Sequence, residues 1–127
     1  MKARYTATLG MLAGIGLGAF AVQAIHAQSK PPLYLVAHID VTNTDGYMKE
    51  YGPLIRASIK ESGGRLVAAG QPTAIEGEAP KSRIAIGVWD SMEQLQSWRN
   101  STKYKDAQKV GDQYAKFNSY VVEGVPQ

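Results

Sequence analysis

The sequence predicts an α+β domain of ferredoxin-like βαββαβ topology, with an antiparallel sheet and helices on one of its faces. Three observations carry this. Leu33 to Val41 and Arg83 to Trp89 alternate with the period of two expected of strands. The stretches after each of them place apolar residues at helical spacing. The resulting order, strand, helix, strand, strand, helix, strand, is the split βαβ pattern, and a chain of 127 residues holds one such domain.

A leader comes first. Lys2 and Arg4 precede an uncharged stretch, Leu9 to Ile25, rich in Ala and Gly, with the small residue Ala27 close behind. This is the layout of a secretory signal peptide over residues 1–27, cleaved after Ala27 or after Ala24. Polar chain at residues 28–32 follows as a linker. The competing reading is an uncleaved anchor. The apolar stretch is at the short limit for a bilayer span, and Gly10, Gly14, Gly16 and Gly18 weaken it as a transmembrane helix. Without an Arg-Arg pair, general secretion is expected rather than the twin-arginine route. With no cysteine, the chain has neither a lipoprotein anchor nor disulfides. The expected location is therefore periplasmic or secreted, with no membrane contact after cleavage. Removing Lys2 and Arg4 lowers the formal charge from +3 to +1. The mature chain then carries no global basic excess to attract nucleic acid.

The domain is expected over residues 33–124, with 125–127 as a tail. In the first strand Leu33, Leu35, Ala37, Ile39 and Val41 form one apolar face, and Tyr34, Val36, His38 and Asp40 a mixed one. Asn43 suits an N-cap, and Asp45 complements the helix dipole. Tyr47, Tyr51, Leu54, Ile55 and Ile59 form the helix stripe, and Gly63 suits the left-handed position that ends it. Pro53 lies inside this helix and predicts a kink near Lys49. Arg65 to Ala69 is the second strand, continuing over Thr73 to Glu76 past a bend at Gly70-Gln71-Pro72. In the third strand Ile84, Ile86 and Val88 oppose Arg83, Ala85, Gly87 and Trp89. Ser91 with Gln94 forms a capping box, and Ser101 caps a further helical piece reaching about Tyr114. Ser119 to Glu123 is the last strand.

A sheet with helices on one face leaves the other face to be covered or wetted. Strand alternation is taken to place Tyr34, Val36, Ala85 and Trp89 on that face, beside His38, Asp40 and Arg83. Such a surface is too apolar for water and too polar for an ordinary core. A second copy packed face to face would cover it, making a homodimer with a barrel-like interior. A mature chain of this size buries a modest core and gains from such an assembly.

Several elements resemble, in order and spacing, the domain-of-unknown-function family 1330 of the dimeric α/β-barrel superfamily. They are Tyr34-Leu35-Val36-Ala37, the helix with Tyr47 and Tyr51, Gly63-Gly64, Gly70, Glu76-Gly77, Trp89-Asp90-Ser91, Trp98 with Ser101 and Tyr104, and Val122-Glu123-Gly124. The resemblance spans roughly Leu33 to Gly124 and implies the same fold and a dimer, with biochemical function unassigned. Ala69 stands where many relatives carry an arginine, and Asn118 where they often carry a basic residue. A binding site built on those residues does not transfer. The wider superfamily holds cofactor-independent monooxygenases, isomerases and haem enzymes, so membership does not choose a reaction.

Candidate chemistry is sparse. His38 is the histidine left after residue 27, with Asp40 two positions on. An adjacent carboxylate can fix an imidazole tautomer, as a general base needs; the bland reading is a hydrogen-bonded interface histidine. Tyr34, His38, Asp40, Arg83, Trp89 and Tyr104 are the candidate ligand residues, and Arg83 suits an acidic ligand unless it pairs with Asp40 or Glu76. Tyr47, Tyr51 and Trp98 are read as packing first and pocket second. One histidine, no cysteine and scattered carboxylates give no metal site, and no cofactor is expected. Neither a phosphate loop nor a Gly-x-Ser-x-Gly element is present. Lys103, Lys105, Lys109 and Lys116, interrupted by Asp106 and Asp112, read as a solvated helix face. Three functions are expected in turn: a small-molecule binder, a cofactor-independent oxygenase or isomerase with His38 as base, or a non-catalytic structural or stress-related envelope protein.

Overall fold

The computed structural model describes residues 30–126. The expectations on the leader, residues 1–27, lie outside the described residues. Pro32–Val125 forms one compact unit. Its strands are β1 (Leu33–Val41), β2 (Arg65–Gly70), β3 (Arg83–Trp89) and β4 (Ala115–Glu123). They form one antiparallel sheet in the order β2-β3-β1-β4, the ferredoxin-like arrangement expected. The helical segments are α1 (Thr44–Gly46), a π turn (Tyr47–Tyr51), α2 (Gly52–Glu61), α3 (Met92–Arg99) and α4 (Thr102–Gly111).

The helix ends follow the sequence closely. Asn43 accepts from the Gly46 N–H at 3.0 Å, Ser91 from Gln94 at 3.1 Å and Ser101 from Tyr104 at 3.1 Å. Gln94 closes its half of the box one residue early, on the Asp90 N–H at 2.9 Å. At the end of α2, Gly63 takes φ +83°, and the N–H groups of Gly63 and Gly64 donate to Lys60 and Ile59. That is the full Schellman motif, and it requires the left-handed conformation that glycine adopts without strain.

Pro53 acts through a π turn rather than a simple bend. The Gly52 N–H donates to the Tyr47 carbonyl five residues back, widening the turn ahead of the proline. The inward residues Tyr47, Tyr51, Ile55 and Ile59 are spaced by four. In a regular α-helix each such step overshoots the turn by about 40°. The wide turn takes up part of that drift, so all four line the cavity described below.

Three boundaries differ from expectation. β2 ends at Gly70 and its irregularity lies between Leu66 and Ala68, so Thr73 to Glu76 is loop. α4 stops at Gly111, and β4 begins at Ala115 rather than Ser119. The longer β4 pairs with β1 along its whole length, from Leu33 with Glu123 to Val41 with Ala115.

The core has two buried clusters on the helix side of the sheet. One holds Ile39, Tyr47, Tyr51, Ala107 and Ala115; the other holds Ile59, Trp89, Leu95 and Trp98, and Ile55 packs against both. Burying an aliphatic side chain such as Ile39 or Leu95 contributes about 1.5–3 kcal/mol each. The opposite sheet face carries Tyr34, Val36, His38, Ile84, Ile86 and Tyr120, with Tyr34 37%, Tyr120 51% and Val122 50% exposed.

The register corrects one expectation. Antiparallel partners project to the same face, and Trp89 pairs with Leu33, Gly87 with Leu35, Ala85 with Ala37 and Arg83 with Ile39. Arg83 and Trp89 therefore face the helices, away from Tyr34 and His38. The apolar trio Ile84, Ile86 and Val88, which resembles a core face, points to the other side.

Candidate functional site

The inward face of the sheet explains an opening in the core. One cross-strand row runs Ala69, Ala85, Ala37, Ser119 through all four strands. None of these side chains extends beyond its first heavy atom from Cβ. The helices above carry large rings, so sheet and helices do not close on each other there. The result is a cavity of about 340 Å³, within the range of small-molecule sites. All four residues of the row line it, and its walls draw on both core clusters through Tyr47, Tyr51, Trp89 and Trp98.

Trp89 and Trp98 are held firmly. Trp89 is 1% exposed and Trp98 4%. The Trp89 indole N–H donates to Ser62 at 2.9 Å and that of Trp98 to Ser58 at 3.0 Å. Trp98 also meets Tyr104 edge-on, with centroids 4.5 Å apart. A Cβ at Gly64 would lie 2.5 Å from the Trp89 ring and one at Gly87 2.7 Å from it, so both glycines make room for the indole.

Polar groups sit among the rings. Arg83 on β3, Arg56 on α2 and Arg99 at the end of α3 all line the cavity, as do Gln108 and Asp112. The Arg83 guanidinium lies 5.8 Å from the centre of the Tyr47 ring, and that of Arg99 5.0 Å from the Tyr104 ring. Arg83 pairs with neither Asp40 nor Glu76; the one ion pair among the described residues joins Lys103 to Glu61. Asp112 accepts from Gln108 Nε2 at 2.8 Å. Burial pushes the Tyr47 hydroxyl above its ordinary 10.0, with Arg83 and then Arg56 drawing it back. Burial likewise raises Tyr104, against the pull of Arg99, and raises Tyr51 further. The hydroxyls of Tyr51 and Tyr104 make no hydrogen bond among the described residues, yet neither is sealed off as a buried unpaired group. Their oxygens meet open space.

The six candidate ligand residues divide between the two sides of the sheet. Arg83, Trp89 and Tyr104 line the cavity. Tyr34, His38 and Asp40 lie on the opposite face. His38 Nε2 is 2.9 Å from the Tyr120 hydroxyl, and Asp40 accepts from Ser82 at 2.6 Å. The expected contact between Asp40 and His38 is therefore replaced by two separate pairs, because each side chain finds a nearer partner on the neighbouring strand or loop. Tyr47, Tyr51 and Trp98, read as packing first, both pack and form cavity wall. Arg56, Arg99, Gln108 and Asp112 escaped sequence reasoning. Their signal is positional: Arg56, Arg99 and Gln108 lie on helices that also carry inward aromatic or aliphatic residues, and Asp112 caps the C-terminus of α4. Among the described residues, no group of three or more histidine and carboxylate side chains gathers as a metal site would need, and no helix is long and apolar enough to cross a membrane.

A four-stranded antiparallel sheet with its helices on one face is the ferredoxin-like α+β fold. The chain belongs to the family described as Domain of unknown function (DUF1330), whose model matches residues 32–125. No curated protein matches the chain by sequence. Solved structures share the fold. A protein of unknown function from Rhodopseudomonas palustris superposes with TM-score 0.63 at 13% identity, over 77% of this chain and 85% of that one. HapK from Hahella chejuensis gives 0.59 at 8% identity, over 75% and 94%. SnoaB, a cofactor-independent oxygenase from Streptomyces nogalater, gives 0.58 at 9% identity, over 76% and 96%. At these identities the likeness is one of fold.

Proposed function

We propose that this protein is an exported homodimer that binds a small, largely apolar molecule in the cavity between helices and sheet. The observation that carries the binding site is the row Ala69, Ala85, Ala37, Ser119, which holds open a space ringed by Tyr47, Tyr51, Trp89, Trp98 and Tyr104. A packed domain without a ligand has no use for such a gap, since unfilled core space is destabilising. Dimerisation is supported by the apolar content of the outer sheet face. Export is supported by the leader-like residues 1–27.

The oxygenase or isomerase reading with His38 as base is less well supported, because His38 is not among the cavity-lining residues. It would need a substrate on the outer sheet face. The structural-envelope reading makes no use of the cavity.

The test is a titration of the ¹⁵N-labelled protein with 2-naphthol, read at the indole N–H resonances of Trp89 and Trp98 and the amides of Ala85 and Gly87. Saturable shifts confined to these groups support the cavity site. If 2-naphthol, 2-naphthamide and 2-naphthoate all leave these resonances unmoved at millimolar concentration, the reading is wrong.

A further inference from the structure

Three guanidinium groups converge on the cavity from different elements: Arg83 from the sheet floor, Arg56 from α2 and Arg99 from α3. None is joined to a carboxylate among the described residues. The single acidic side chain in the lining, Asp112, is engaged by Gln108. The site is thus positive in balance, while the mature chain as a whole is close to neutral. Arg83 is half-buried, and Arg56 and Arg99 are exposed.

Two of the arginines also lie close to tyrosine rings. Arg83 and Arg99 lie over the faces of Tyr47 and Tyr104 at 5.8 and 5.0 Å. A guanidinium carries five N–H donors in a rigid fork, so one that touches a ring still has donors left for a planar oxyanion, with which it forms paired, charge-assisted hydrogen bonds. The open hydroxyls of Tyr51 and Tyr104 add donors to the same space. Beneath them the floor of small residues admits a flat apolar body.

We infer that the cavity is selective for an aromatic or similarly flat molecule carrying a carboxylate, with Arg83 and Arg99 gripping the anion and the Ala69–Ser119 row receiving the ring. This rests on the cavity being a binding site, and the two ideas fail separately.

The experiment compares 2-naphthoate with its neutral isostere 2-naphthamide on the native chain at low ionic strength, by calorimetry. The acid is expected to bind about ten-fold tighter or better, the step expected of a charge-assisted pair, and the preference is expected to shrink as salt is added. Arg83→Gln and Arg99→Gln are each expected to narrow the gap between the two probes, with the Trp89 and Trp98 indole resonances reporting that the fold is kept. Equal affinity of acid and amide for the native chain overturns the anion preference and leaves the cavity site standing. A preference that survives both substitutions overturns the assignment of these arginines. Binding of neither probe overturns the anion preference, and if 2-naphthol also fails to bind, the cavity reading falls with it.

Discussion

Trp89 and Trp98 lie with ring centroids 4.6 Å apart and planes tilted by 33°, and their N–H groups donate to Ser62, the C-cap of α2, and to Ser58, one turn earlier in that helix. The helix thereby pins both indoles. Each serine in turn donates to a carbonyl of its own helix, Ser58 to Ile55 at 2.8 Å and Ser62 to Ile59 at 2.6 Å. One wall of the cavity is consequently rigid.

Ser58 is 2% exposed. Ser58→Ala leaves the Trp98 indole N–H buried without a partner and is expected to cost about 1–3 kcal/mol. Ser62 is less buried, and water can replace its hydroxyl, so Ser62→Ala should cost less. Urea unfolding of the two variants gives the order; equal losses would mean that the hydrogen bond to Trp98 is not what Ser58 contributes.

Gly64 and Gly87 flank the Trp89 ring from β2's approach and from β3 itself. Alanine at either position puts a methyl carbon within 2.5 or 2.7 Å of an indole that is 1% exposed. The ring has little room to retreat, so each substitution is expected to cost about 1–3 kcal/mol through overpacking. Thermal melts of Gly64→Ala and Gly87→Ala check this against Gly70→Ala, where a Cβ meets nothing within 4 Å.

These close approaches also show which parts of the architecture were legible in the sequence. Local signals were read well: Asn43, Ser91 and Ser101 as caps, Gly63 as a helix end, and the element order. The face of β3 was not. Its two alternating sets are both largely apolar, and Ile84, Ile86 and Val88 look more core-like than Arg83, Ala85, Gly87 and Trp89. This set faces inward because Ala85 and Gly87 leave room beside the Trp89 ring and beneath the helix tyrosines, a property of the tertiary packing rather than of the strand. The cavity row followed the same rule, since Ala37, Ala69, Ala85 and Ser119 are far apart in sequence and become one feature only through register. His38 and Asp40 were placed correctly on one face, but their partners, Tyr120 and Ser82, come from other segments.

The buried tyrosines predict a specific alkaline sensitivity. Tyr51, Tyr47 and Tyr104 all hold their protons above the ordinary 10.0, with burial the first cause. In the unfolded chain they ionise near that ordinary value. Above it the folded state binds more protons than the unfolded one, so their contribution is fully present below pH 10.0 and is lost as pH rises beyond it. Tyr51→Phe removes the most strongly shifted group. The fall in the urea midpoint above pH 10 should be shallower in this variant than in the native chain; parallel curves would assign the sensitivity elsewhere.

Ile86 lies at the centre of the outer sheet face, between Ala68 and Val36, with Tyr120 beyond. If two copies pack through this face, a charge there is buried against its own image. Ile86→Lys is expected to convert a dimer to a monomer in light scattering, while the cavity, on the other side of the sheet, keeps its affinity for 2-naphthol. A native chain that runs as a monomer would remove the dimer from the proposal and leave the cavity untouched.

The clearest separation of stability from function comes from filling the cavity. Ala85 sits in the middle of the small-residue row, opposite Ala37 and Ala69. A leucine there projects into space the fold already leaves open, so it adds apolar contact without displacing a neighbour. Core substitutions that fill a void commonly stabilise by about 0.5–2 kcal/mol, whereas those in a packed core cost more. Ala85→Leu is therefore expected to raise the melting temperature and to abolish binding of 2-naphthol and 2-naphthoate together. The pairing of outcomes is the test. A variant that is stabilised and still binds places the ligand elsewhere on the chain. One that is destabilised shows that the space closes in solution, and the site would then have to be sought on the outer sheet face around His38 and Tyr120.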